Sequence, residues 1–228
     1  MQPKLFVAMA GNIGAGKSTA AKIISRHFGF DLFHEPVVEN RFLKLYYNDM
    51  RRWSFTLQME FLLARIEHHR HIERLGGGCI QDRTLIEDPE IFAKYLHGLG
   101  NMNDNELDLY FDYFKRFNEQ FRQPDRVILL HTPDVNVLLR RIAERGREEE
   151  RGITSDFLHG LNGYYETFDQ VAEQKYGLKV LRIDVTNRDF RRGEERSKFL
   201  EEVQEFMSEA LPGNQELPFA VSPRDELN

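Results

Sequence analysis

Several things are scarce in this chain of 228 residues, and each scarcity removes a class of protein. There is one cysteine, Cys79, so no intrachain disulfide can form, and a reducing compartment, the cytoplasm, is expected. No apolar run approaches the ~20 residues of a membrane-spanning helix, so no membrane partner is expected. The apolar run at 5–10 is short for a signal peptide and reads as a strand. Positive charge is in deficit: 31 Lys and Arg stand against 37 Asp and Glu, for a net charge of −6. A nucleic-acid partner is therefore not expected, because neutralising its phosphates needs a basic surface. Internal repeats and low-complexity blocks are absent too. His68, His69 and His71 share one helical stretch, but neighbouring histidines point to different faces and no thiol lies among them, so no metal site is expected there.

What is present is concentrated near the N-terminus. Gly11-Asn12-Ile13-Gly14-Ala15-Gly16-Lys17-Ser18-Thr19 follows an apolar strand-like run and precedes a helix-like segment. That is the phosphate-binding P-loop in its required context. Glycines let backbone N–H groups close around phosphate oxygens, and the helix N-terminus adds partial positive charge. Lys17 is suited to the β- and γ-phosphates, and the Ser18 hydroxyl to a Mg²⁺ position. The chain is expected to bind a nucleoside triphosphate.

Short apolar runs alternate with longer helical ones, the pattern of an α/β fold with a parallel sheet. Strands are predicted at 4–10, 31–34, 79–81, 126–131 and 179–183. Helices are predicted at 17–28, 40–48, 54–75, 89–96, 104–121, 135–144, 155–175 and 195–211. One domain spanning 1–211 and a mobile tail at 212–228 are expected. Tyr110, Tyr113, Phe114, Phe117 and Phe121 form an aromatic stripe suited to core packing or to a subunit interface.

The acceptor has to be sought at the other strand ends, since ligands of parallel sheets collect there. Glu35 follows the second strand and Asp82-Arg83-Thr84 ends the third, with Asp88 shortly after. A carboxylate such as Asp82 suits the Mg²⁺ shell, and Arg83 suits phosphate charge. Gln58 and Arg65, nearly two helical turns apart, share a face, where a nucleobase edge could satisfy both. Arg141 and Arg145 stand four residues apart in an arginine-rich segment that includes Arg147, the composition of a lid that clamps transferring phosphates.

Taken in order, GNIGAGKST, EPV, RWSFTLQ, DRT and RGREEERGI resemble the deoxynucleoside kinase family from Lys4 to about Leu211. The bacterial deoxyadenosine/deoxyguanosine kinase branch is the most similar. The resemblance implies a P-loop NTPase fold with a five-stranded parallel sheet flanked by helices, an arginine-bearing lid of Arg141, Arg145 and Arg147, ATP and Mg²⁺ as cofactors, and a homodimer. It implies Glu35 as base toward the 5′-hydroxyl of a small deoxynucleoside, with a carboxylate of ordinary basicity sufficing. Tyr47 and Glu150 would hold the 3′-hydroxyl, and Gln58, Arg65 and Asp88 would read the base. Arg83 would stand between Glu35 and the phosphates, Asp82 would support Mg²⁺, and Asp189-Phe190 would border the adenine of ATP. Adenine satisfies an Arg65–Asp88 pair best, so deoxyadenosine is expected first, deoxyguanosine and deoxycytidine next, and thymidine poorest. DRT stands where many relatives have Glu-Arg-Ser, and the segment after Phe190 is longer and more charged. The alternatives are a nucleoside monophosphate kinase resembling thymidylate kinase, and a P-loop GTPase. The GTPase would carry Asn-Lys-x-Asp, whereas Asn187-Arg188-Asp189 has the wrong spacing.

Overall fold

A computed structural model describes residues 4–35, 40–211 and 217. Five parallel strands, β1 (Phe6–Gly11), β2 (Asp31–Phe33), β3 (Cys79–Asp82), β4 (Arg126–His131) and β5 (Val180–Asp184), lie in the order β2-β3-β1-β4-β5. The central strand β1 is buried along its whole length, as its unbroken apolar sequence requires of a strand covered on both faces. Phe6 is opposite Cys79 on one side, and Val7 is opposite Arg126 on the other. The chain grows from β1 toward β2 and later crosses over to β4, so the loop after β1 leaves the sheet where its order reverses.

Alternate side chains of β1 serve two cores. Val7 and Met9 pack with α1 (Lys17–Phe28), α6 (Val135–Arg145) and α9 (Gly193–Ser208) through Ile24, Leu138 and Phe199. Ala10 faces the other way, where Val127 and Leu129 of β4 meet α3 (Met50–Arg74), α5 (Asp104–Asn118), α7 (Ser155–Tyr165) and α8 (Phe168–Tyr176). Short α2 (Leu43–Asn48) and α4 (Lys94–Gly98) complete that layer.

The helix expected at 155–175 is two helices, α7 and α8. Arg182 of β5 donates to the carbonyls of Tyr165 (3.1 Å) and Glu166 (2.7 Å), satisfying the end of α7, and pairs with Asp169 in the first turn of α8. The helix expected from 54 begins at Met50, because Asp49 caps it by accepting from the N–H of Arg52 at 3.0 Å. The segment expected as a helix from 89 is wound as a π-helix over Asp88–Ala93 before α4 starts. The tail at 212–228 lies outside the described residues except for Leu217, which is buried against the α1, α6 and α9 core.

Candidate active site

Packing fixes the shape of the P-loop. A Cβ at Gly11 (φ 143°) would lie 2.4 Å from the carbonyl oxygen of Leu130, and one at Gly14 (φ 82°) would lie 2.7 Å from that of Leu138. Asn12 is buried and ties the loop to α7, donating to Leu158 O at 3.1 Å and Asn162 Oδ1 at 2.6 Å. Its Oδ1 accepts from the N–H of Ile13. Arg141 holds the outer side, donating to the carbonyls of Ala15, Val185 and Arg188 at 2.8–3.1 Å. Lys17, at the start of α1, donates to the carbonyls of Gly11 (2.7 Å) and Asn12 (3.0 Å). Burial, reinforced by Arg83, lowers its pKa to about 8.

Beside Lys17, the Ser18 hydroxyl donates to Asp82 Oδ2, while the buried Asp82 Oδ1 has no partner among the described residues. Burial and then the charge of Glu35 raise the pKa of Asp82. A hydroxyl and an under-satisfied carboxylate are hard oxygen donors at the mouth of a phosphate loop, and this donor set fits Mg²⁺.

Arg83 occupies an unusual position. It is the one described non-glycine residue with positive φ, 82°, just past the end of β3. Its Nε donates to Glu35, and its Nη1 reaches Glu87 Oε1 (3.1 Å) and the Tyr165 hydroxyl (3.0 Å). The guanidinium also lies over the ring of Phe92, 4.7 Å from the centroid. Glu35 faces a second cation, Arg65 Nη2, at 3.5 Å. Burial works against its charge, but Arg83, Lys17 and Arg65 outweigh it and hold the carboxyl at about 2. The ordinary basicity expected of Glu35 is therefore corrected: three cations make it a weak base, ionised throughout the working range.

Arg65 Nε donates to Asp88 Oδ2 at 2.6 Å, with both side chains buried. Burial still pushes the Asp88 carboxyl up to about 6, against the pull of Arg65. Gln58 is buried one face along α3, and its Oε1 has no partner among the described residues. These groups line a cavity of about 300 Å³ that runs from Gly16, Lys17, Ser18 and Thr19 past Glu35 and Arg83 to Gln58, Arg65 and Asp88. Tyr47, Arg145, Arg147 and Glu150 line the same cavity. Glu150 is buried and accepts from Arg145 at 2.7 Å and from Arg147 at 3.4 Å. Burial, aided by the nearby charge of Glu150, raises the pKa of Tyr47 and keeps its hydroxyl a donor.

Other expected site residues stand elsewhere. Arg141, Asp189 and Phe190 line a second cleft, of about 620 Å³, which shares Gly16, Thr19 and Arg145 with the first cavity. Asp189 is engaged by Arg191 at 2.8 Å, and Phe190 is only 5% exposed, with its ring 4.2 Å from that of Phe199. Arg141 is braced against backbone and shares this cleft with Arg145, which lines both hollows, whereas Arg147 lines only the first cavity. Sequence reading missed Glu87 and Tyr165. The first had a signal, since Thr84-Leu85-Ile86-Glu87 has capping-box spacing, and both bonds of the box form, Thr84 N–H to Glu87 at 2.7 Å and Glu87 N–H to Thr84 at 3.2 Å. Tyr165 had none.

A family model described as deoxynucleoside kinase matches residues 7–208. The chain belongs to the deoxynucleoside kinase family. This kinase is 35% identical to the deoxyadenosine/deoxycytidine kinase of Bacillus subtilis (strain 168), over 72% of this chain and 76% of that one. It is 30% identical to the deoxyguanosine kinase of the same organism, over 81% and 88%. A deoxyadenosine kinase from M. mycoides with bound dATP superposes with a TM-score of 0.74 at 31% identity, covering 86% of this chain and 99% of that one. The fold is accordingly that of the P-loop NTPases, and the activity is ATP-dependent phosphorylation of a deoxynucleoside. The GTPase and monophosphate-kinase alternatives fall away with it.

Proposed function

We propose that this kinase prefers purine deoxynucleosides, deoxyadenosine first, and transfers the γ-phosphoryl group of ATP to their 5′-hydroxyl. The observation that carries the reading is the buried Arg65–Asp88 pair in the cavity that begins at Lys17, together with the Oε1 of Gln58, which has no partner among the described residues. A buried ion pair is costly unless further hydrogen bonds complete it. Adenine completes it: its exocyclic amine donates to Asp88 and a ring nitrogen accepts from Arg65. Thymine offers Asp88 a carbonyl and adds a methyl group. Sites built to bond a polar group reject analogues lacking it by up to about 10⁴–10⁵-fold.

In this reading Tyr47 and Glu150 hold the 3′-hydroxyl, and Glu35 orients the 5′-hydroxyl and takes its proton as the oxygen–phosphorus bond forms and ADP departs. A carboxylate at about 2 is a weak base, which suits a loose transition state where the acceptor proton leaves late. Lys17, Arg83, Arg145 and Arg147 neutralise charge on the phosphoryl group. Ser18 and Asp82 would hold Mg²⁺, which supplies further neutralisation at the donor phosphates. Asp189 borders the donor base, while the buried Phe190 supports it from the core.

A panel of deoxynucleosides with ATP and Mg²⁺ tests the preference by kcat/KM, and equal turnover of thymidine and deoxyadenosine overturns it. Glu35→Gln is expected to lower kcat by about 10²–10⁴-fold with KM for the deoxynucleoside largely kept. A loss in KM alone would make Glu35 a binding residue only.

The kinase is further proposed to work as a cytoplasmic homodimer. The aromatic stripe contributes less than expected, because Tyr110 and Phe114 face the core. Leu109 and Tyr113 of the same helix are 45% and 43% exposed and, with Leu63 of α3 at 52%, supply apolar surface for a partner copy. Light scattering at twice the 26.9 kDa chain mass is the expected result, and a monomer overturns it.

A further inference from the structure

Glu87 is the most completely satisfied buried carboxylate around the site. It has no exposed surface, and five donors converge on it. Oε1 accepts from the N–H of Gly11 (3.0 Å), from Arg83 Nη1 (3.1 Å) and from the Tyr165 hydroxyl (2.7 Å). Oε2 accepts from the N–H and the hydroxyl of Thr84, at 2.7 and 3.0 Å. One side chain thus joins the end of β1, where the P-loop starts, to the residue after Arg83, to Arg83 itself and to the end of α7. Glu87 does not line the acceptor cavity, and neither does Tyr165.

What the carboxylate holds is a residue that would not hold itself. The left-handed backbone of Arg83 is costly for a side chain with a Cβ and persists only where surroundings enforce it. The cost brings a return in direction. With Nε on Glu35 and Nη1 on Glu87 and Tyr165, the guanidinium is fixed at two of its three nitrogens. The hydrogen bonds of Arg83 to described residues run through Nε and Nη1, which leaves Nη2 for the transferring phosphoryl group in the proposed role of Arg83. Burial and the adjacent carboxylate keep the Tyr165 hydroxyl protonated, so it remains a donor to Glu87.

We propose that Glu87 and Tyr165 are positioning residues for phosphoryl transfer, acting through Arg83 by locking its guanidinium between the acceptor carboxylate and the first P-loop residue. The inference rests on the role given to Arg83 under the proposed function. A positioning group of this kind changes kcat more than KM, since misplacing a transition-state donor by about an ångström can cost up to about 10²-fold.

The test is a double-mutant cycle on the full chain, with kcat, KM and thermal midpoint measured for the wild type, Tyr165→Phe, Arg83→Lys and the double variant. Tyr165→Phe removes one hydroxyl and keeps the ring that packs near Phe168. It is expected to lower kcat about tenfold, with KM for deoxynucleoside and ATP within about twofold. In the Arg83→Lys background the same change is expected to lower kcat by less than about twofold, because the group it positions is already gone. Glu87→Gln, which turns an amide N–H toward Thr84, is expected to follow the same pattern with a larger loss. Equal losses from Tyr165→Phe in both backgrounds, or a lowered thermal midpoint with kcat unchanged, overturn the proposal. An Arg83→Lys enzyme with native kcat overturns the role of Arg83 itself, and that result is distinguishable because it appears in the single variant.

Discussion

The acceptor cavity holds Glu35, Arg65, Arg83 and Asp88, whose side chains are 16%, 1%, 4% and 3% exposed. The second cleft, proposed above to border the donor base, holds Asp189, Arg191 and Arg192, at 31%, 70% and 81%. Both hollows are lined with ion pairs, yet the physics differs. At Arg65, Arg83 and Asp88 the charge has lost its water, so each must be answered by a fixed partner and a misfitting ligand leaves a charge stranded. In the cleft water answers any charge that a ligand fails to meet, and exposed pairs contribute little. In the proposed reading, the cavity discriminates among acceptors, whereas the cleft accepts a donor that its phosphates already identify. The P-loop between them serves both.

The largest expected effect comes from the P-loop cation that lines the first cavity. Lys17→Ala should lower kcat by about 10³-fold or more, as loss of a principal phosphate cation does elsewhere. Its ammonium contacts the P-loop carbonyls rather than the apolar cores, so the thermal midpoint should stay close to wild type. A variant with near-native kcat would mean that the loop does not hold the transferring phosphates.

The next effect isolates the cavity. Asp88→Ala leaves Arg65 buried beside Glu35 without its main partner, and stranding one member of a buried pair costs about 3–5 kcal/mol. Replacing both residues with small uncharged ones should cost less in stability than the single change, and should raise the thymidine-to-deoxyadenosine ratio of kcat/KM. A double variant with an unchanged ratio would show that the pair does not read the base.

How far these contrasts were legible in the sequence depends on the range of the interactions involved. The P-loop helix is found at Lys17–Phe28 and β4 at Arg126–His131, as expected, because each is set by its own glycines or its own apolar run. Glu35, Asp82 and Arg83 were expected near the crevice from the rule that parallel strands end there, and the sheet brings them together. What the sequence did not disclose was made by distant residues. Arg182, on the strand after α8, meets the break in the helix expected at 155–175, and Tyr165 meets Glu87 across a separation of 78 positions. Phe190 sits in a loop, where no periodicity says which way a ring turns, and Phe199 draws it into the core. His69, set aside as a metal ligand, packs between the rings of Phe6 and Phe121, and burial lowers its pKa to about 4.

A pH titration sharpens the comparison at its midpoint. Lys17 has a pKa of about 8, so the free enzyme loses that charge as pH rises through about 8. The expected result is a fall in kcat/KM for ATP of about tenfold per pH unit beyond that point. The kcat limb should lie at higher pH, because bound phosphates favour the charged form. Stability should move the other way. Between about 8 and 10.5 the native state binds fewer protons at Lys17 than the unfolded chain, so the burial cost is fully present below about 8 and is relieved as pH rises. A flat kcat/KM profile to about pH 10 would show that Lys17 is not desolvated in the free enzyme.

The smallest expected effect belongs to the cleft, and its smallness is the point. Asp189 accepts two hydrogen bonds from the Arg191 guanidinium and one from its N–H, lies near Arg192, and has its carboxyl pKa lowered chiefly by the Arg191 side-chain hydrogen bonds. All three side chains have water within reach, so Asp189→Ala removes a contact that solvent replaces. KM for ATP should change by no more than about threefold, and the ratio of kcat/KM for ATP over GTP should move equally little. Salt should blunt even that change, since exposed pairs are screened over about 8–10 Å near physiological ionic strength. The same change in salt should leave the thymidine-to-deoxyadenosine ratio alone, because Arg65 and Asp88 lie where ions do not penetrate. If Asp189→Ala instead altered donor choice by about 10²-fold, the cleft would be a closed reader of the donor base, and the contrast between a dry acceptor cavity and a wet donor cleft would be lost.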